Sequence, residues 1–216
     1  MSDEVFLSGT GETTTQAKLS QLLDETDAQA LYFASAYVTQ SGVNRIADLI
    51  EEHQIERCIA VFGLNGNITQ PSAIDSALEL GWTLRLIEGG SHQFHPKIAL
   101  VGGVEPKPLS DVYGGYIGSS NITKGGLVDN IEAGLIVRNN ETIESLSETA
   151  GDIWKLANPV EDVDIEAYAE RCAENARERP TSSQPPGVGA SPASETETAE
   201  ESEPPARPAY HPDHAR

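Results

Sequence analysis

Two short segments carry residue types suited to phosphoryl chemistry. His95 and Lys97 stand two apart in HPK, and GSSN supplies Gly118, Ser119 and Asn121. Glu132 follows eleven residues after Asn121. Displacement at phosphorus needs a nucleophile or general acid, with fixed positive charge and donors around the phosphate oxygens. An imidazole, an ammonium, a hydroxyl and an amide meet that need together. On a strand, residues two apart share a face, so His95 and Lys97 are predicted to lie side by side. Gly118 would let backbone approach a ligand. A buried Glu132 carboxylate could hold one ring nitrogen of a histidine and stabilise its imidazolium.

In this order, H-x-K, then G-S-x-N, then a Glu resembles the active-site signature of the phospholipase D superfamily, in particular its small nuclease-like members with one such motif per chain. The matching positions are His95, Lys97, Gly118, Ser119, Asn121 and Glu132, and the resemblance spans roughly residues 28–158. One position departs: many members carry an Asp five residues after the lysine, where this chain has Gly102. The resemblance implies a phosphodiesterase in which neutral His95 attacks phosphorus and forms a phosphohistidine, splitting one displacement into two. Lys97 and Asn121 would bind the non-bridging oxygens, Ser119 would support the phosphate or the lysine, and no metal or other cofactor is called for. A second histidine must protonate the leaving oxygen. With one HxK motif per chain, the resemblance implies a homodimer sharing one site across a two-fold axis.

The surrounding pattern must deliver these residues to one place. Segments 28–38, 55–63 and 83–89 read as strands, the first apolar on both faces, separated by amphipathic helices over 41–53 and 71–81. That alternation predicts parallel βαβ units. Ser41 is the expected N-cap of the first of these helices. Strands follow at 95–103, 111–120 and 131–139, with only a short helix or turn in NITKGGLVDN, then helices at 141–158 and 163–179. The expectation is an α/β domain over residues 1–179 with a mixed, largely parallel sheet and helices on both faces. Residues 180–216 hold 8 of the 13 prolines and almost no large apolar side chain, and read as a disordered, acidic Pro/Ser/Glu-rich tail.

Composition narrows the function. Among 216 residues there are 34 acids against 14 Lys and Arg, a net charge of -20, and only five of those cations are Lys. The tail carries six acids and two Arg, so -16 belongs to residues 1–179. Such a body repels nucleic acid at low salt. One reading is a halophilic cell interior, where a Debye length of roughly 3 Å at 1 M salt removes the repulsion; the other is an ordinary acidic protein. Segment 92–138 is nearly neutral, with Lys97, Lys107, Lys124 and Arg138 against Glu105, Asp111, Asp129 and Glu132. A less negative groove could therefore accept nucleic acid.

No apolar run is long enough to span a bilayer, and MSDEVFLSGTGETTT lacks signal-peptide character, so a cytoplasmic protein is expected. Cys58 and Cys172 suggest neither a disulfide framework nor a zinc site, and His92, three residues before His95, is a weak metal partner. The leading expectation is a nuclease. The alternatives are a non-catalytic accessory module of a helicase or restriction system, and a lipid phosphodiesterase or phosphatidyltransferase.

Overall fold

The computed structural model describes residues 2–178, apart from 10, 12, 91 and 105–110. Lys107 and the 180–216 tail lie outside the described residues. The strands are β1 (Glu4–Leu7), β2 (Ala30–Ser35), β3 (Arg57–Gly63), β4 (Thr83–Ile87), β5 (Lys97–Gly102), β6 (Val112–Gly118), β7 (Ala133–Val137) and β8 (Asn158–Pro159). The helices are α1 (Thr15–Thr26), α2 (Gln40–Glu52), α3 (Pro71–Glu79), α4 (Asn140–Leu156) and α5 (Ile165–Glu178). All eight strands join one sheet in the order β1-β7-β6-β5-β2-β3-β4-β8.

The βαβ units form as their pattern predicts, with β2, β3 and β4 parallel. The rest of the sheet corrects the expectation of a largely parallel one. The pairs β1/β7, β7/β6, β6/β5, β5/β2 and β4/β8 are all antiparallel. A parallel return needs a crossover of a dozen residues or more; the β5–β6 connection, residues 103–111, is shorter than that, and among the described residues no α-helix lies between β4 and β5 or between β6 and β7.

Burial follows centrality. Every residue of β5 is buried, and in β2 and β3 only the first residue is not. One face of the sheet carries α1, α2, α3 and α5, through Leu19, Leu22, Ile46, Ile74 and Tyr168 among others. The other face carries α4 alone, through Ile143, Leu146, Ala150 and Ile153. Each such fully buried aliphatic side chain contributes roughly 1.5–3 kcal/mol. Covered by one helix, this second face leaves Val5, Leu7, Ile117 and Ile131 exposed toward β1.

Two local details differ from the sequence reading. Helix α2 is capped by Thr39, whose hydroxyl accepts from Gly42 N at 3.2 Å, and Ser41 sits inside the first turn. Thr39 has the extended backbone that an N-cap requires. Strand β5 begins at Lys97, because Pro96 before it has no N–H to give the ladder.

Candidate active site

The antiparallel half of the sheet brings four chain segments to one edge. Strand β2 ends where β5 starts, since Ser35 pairs with Lys97. Strand β6 ends beside the same point, Ile117 opposite Ile98, and β7 begins there, Gly134 opposite Gly118. His95, Lys97, Ser119, Asn121 and Glu132 all fall at this edge, supplied by the start of β5, the exit of β6 and the entry to β7.

His95 and Lys97 meet as expected, although only Lys97 is on the strand. The Lys97 Nζ lies 2.9 Å from His95 Nδ1 and 3.4 Å from Nε2, and donates to the His95 carbonyl at 3.0 Å. Lys97 is only 8 % exposed, which is unusual for an ammonium. Burial holds its pKa below the ordinary lysine value, while the charge of Glu132 pushes it back up. That coupling brings Glu132 into the same electrostatic site as Lys97.

Glu132 has other partners than the ring expected for it. Within one chain its carboxylate accepts from the Ser119 hydroxyl and from Asn130 Nδ2, the latter at 3.3 Å. The Ser119 oxygen in turn accepts from Ala133 N at 3.1 Å. Ser119 thus ties the exit of β6 to the entry of β7. Asn121 accepts from Tyr37 N through Oδ1 at 3.2 Å, and its amide Nδ2 has no partner among the described residues. An amide fixed in this way points donors outward, as an anion site requires. Gly118 is constrained by packing as well. A Cβ there would lie 2.2 Å from the Tyr116 hydroxyl and 2.6 Å from the Ala133 carbonyl, so glycine is required by packing inside the sheet.

Gly102, the departure from the family pattern, has a structural basis. The β5/β6 register shifts between Val101 and Gly102, and a Cβ at Gly102 would stand 2.0 Å from the Asp111 carbonyl oxygen. The bulge leaves no room for the aspartate. His92 is exposed, and among the described residues no three His, Cys, Asp or Glu side chains gather as a metal site would require.

Three residues that the sequence reading passed over belong to this edge. Ser35 is 1 % exposed; its hydroxyl donates to the Tyr37 carbonyl at 2.9 Å and accepts from Ile122 N at 3.1 Å. It stitches the exit of β2 to the segment carrying Asn121. Tyr37 packs against His95, ring centroids 5.6 Å apart at 79°. Asn130 holds Glu132. The available signal was position: residues just past the carboxyl end of a parallel strand are where ligands bind in open α/β sheets.

Among solved structures, a phospholipase D family member, Nuc from Salmonella typhimurium, superposes with a TM-score of 0.53 at 18% identity, covering 73% of this chain and 97% of that one. The fold is that of the phospholipase D superfamily. NucT from Helicobacter pylori matches with a TM-score of 0.52 at 15% identity, over 73% of this chain and 99% of that one. A polyphosphate kinase from Porphyromonas gingivalis matches 73% of this chain with a TM-score of 0.51 at 12% identity, but only 27% of its own length. No protein-family model and no curated protein matches this sequence. The phospholipase D fold thus occurs in proteins named for different reactions, and the reaction must be argued from the site.

Proposed function

We propose that this chain is a phosphodiesterase, specifically a metal-independent nuclease that works through a phosphohistidine in a site shared by two copies. The observation carrying this reading is the buried Lys97 ammonium against the His95 imidazole, with Asn121 and Glu132 at the same sheet edge. In the first step a His95 ring nitrogen attacks phosphorus; the N–P bond forms, the ester P–O bond breaks, and the leaving oxygen takes a proton from the second copy's His95. In the second step that neutral imidazole takes a proton from water. The water oxygen attacks phosphorus and the N–P bond breaks. Lys97 supplies the positive charge and Asn121 the fixed donors for the non-bridging oxygens throughout.

The apolar face beside the site supports the second copy. Val5 pairs with Leu135, and Leu135 with Ile117, so these side chains form a row across β1, β7 and β6; Leu7 shares the Val5 face. Val5 is 81% exposed, and a contiguous apolar patch of this kind marks an interaction surface. Nucleic acid is favoured over lipid because segment 92–138, which carries the site, is nearly neutral within an acidic chain and so repels a polyanion least there.

The test is single-turnover cleavage of single- and double-stranded DNA and RNA, with phosphatidylcholine vesicles in parallel, at low and molar salt. Nucleic-acid cleavage with an acid-labile, base-stable phosphoryl adduct, lost in His95→Ala, is the expected result. Vesicle hydrolysis alone selects the lipid reading, and an active monomer by sedimentation removes the shared site.

A further inference from the structure

We infer that Tyr37 is a positioning residue for His95: its ring walls the imidazole so that one fixed nitrogen faces the substrate phosphate. The role rests on the nuclease reading, but the contact itself does not.

A histidine ring turns about its Cβ–Cγ bond in a broad, roughly two-fold well, so nothing intrinsic decides which nitrogen points where. In this site the ambiguity is acute. Lys97 Nζ reaches Nδ1 at 2.9 Å and Nε2 at 3.4 Å, and therefore restrains the ring poorly against rotation. Its third contact goes to the His95 carbonyl and does not touch the ring. The Glu132 carboxylate is engaged by Ser119 and Asn130 within the chain. The remaining restraint is Tyr37, edge-on to the imidazole at 79° and 5.6 Å, within the range where aromatic pairs attract and well suited to a T-shaped contact.

Tyr37 is itself firmly mounted. Its carbonyl accepts from Ser35 Oγ, and its N–H donates to Asn121 Oδ1. The next residue, Val38, donates through its N–H to Thr69 Oγ1 at 3.2 Å and accepts at its carbonyl from Gln70 N at 2.9 Å. Thr69 is 1 % exposed, and its carbonyl receives the Tyr168 hydroxyl at 2.7 Å. The wall behind the imidazole is thereby tied to β2, to the segment after β3 and to α5. By contrast, the Tyr37 hydroxyl has no partner among the described residues, so the ring and not the hydroxyl carries the role.

The experiment compares the full chain with Tyr37→Phe and Tyr37→Leu by NMR of histidine labelled at ring carbons, the His95 signal being identified by its loss in His95→Ala. Tyr37→Phe should keep the His95 chemical shift and cleave within about two-fold of the parent. Tyr37→Leu should shift the His95 signal, because it removes the aromatic ring set against the imidazole. It should also slow single-turnover cleavage about ten- to a hundred-fold with KM little changed, the scale of loss that follows from misplacing a reacting group. A His95 signal unmoved in Tyr37→Leu overturns the inference, as does parent-rate cleavage by that variant. If the parent cleaves no phosphodiester while the signal still moves, the nuclease reading falls and the Tyr37 wall stands. Should Tyr37→Leu fail to fold, Tyr37→Met takes its place with the same expected and overturning results.

Discussion

Ser35→Ala isolates the stitch that holds the site edge together. The hydroxyl it deletes donates to the Tyr37 carbonyl at 2.9 Å and accepts from the Ile122 amide at 3.1 Å, at a position 1 % exposed. Alanine fits the space but leaves two backbone groups without partners. Each buried unsatisfied group costs about 1–3 kcal/mol. Tyr37 is only half-buried, so its carbonyl should lie at the low end of that range and Ile122 nearer the middle. The expected loss is about 3 kcal/mol, a large share of the roughly 5–15 kcal/mol that holds a domain folded. At about 2–4 °C per kcal/mol for a domain of this size, the melting temperature should fall by about 6–12 °C. Urea unfolding should show a lower midpoint at unchanged slope. The control is Ser41→Ala, an exposed side chain in the first turn of α2, which should cost under about 0.5 kcal/mol. A Ser35→Ala loss no larger than that control would refute the reasoning, since it would mean that neither backbone group depends on the hydroxyl.

Three further outcomes follow from the geometry. Lys97 should titrate below its ordinary value of 10.5 when followed by 15N NMR of the ammonium, and Glu132→Gln should lower it further, because the carboxylate supplies the opposing upward push. A lysine with a depressed folded pKa is less protonated than in the unfolded chain, so its contribution to stability should improve as pH rises through the window below 10.5; a titration at or above that value would be the contrary result. Gly102→Ala should destabilise by about 1–3 kcal/mol in urea melts, because its Cβ would meet the Asp111 carbonyl at 2.0 Å, and a neutral outcome would show that the bulge yields. Cleavage should survive EDTA; loss restored by a divalent ion would transfer the role assigned to Lys97 to a metal.

The parallel half of the fold was legible because hydrophobic period announces it: apolar strands of β2 and β3 type alternate with amphipathic helices, and only one arrangement satisfies both. The antiparallel half was misread in direction although its strands were found. The decisive information was that no α-helical crossover follows β4: the β5–β6 connection is too short for a parallel return, and among the described residues no α-helix lies between β4 and β5 or between β6 and β7. In the site, His95, Lys97, Ser119, Asn121 and Glu132 stood out because their types and order together suit phosphoryl chemistry. Ser35 and Tyr37 did not, since small and aromatic residues are ordinary in a buried strand. Their roles come from where β2 stops, a boundary that composition leaves undefined by several residues. Gly118 carries a demand that its sequence context did not announce: Tyr116 beside it in the sheet leaves no room for a Cβ.

The pairing of β1 with β7 sets a schedule for synthesis. Leu7 must wait for Ala133, roughly 125 residues downstream, before its strand has a neighbour. At about 5–20 residues per second on the ribosome, the EVFL segment spends on the order of 6–25 s without its partner. Its docking also lays Ser8 N–H on the Glu132 carbonyl at 2.8 Å, so the backbone bearing that carboxylate is pinned by a segment made well before it. The nascent chain therefore passes through an interval of roughly 35 residues, about 2–7 s, in which His95 and Lys97 already exist but Glu132 has yet to be made. Competence for chemistry arrives with the closing of the sheet rather than with the appearance of the reactive side chains.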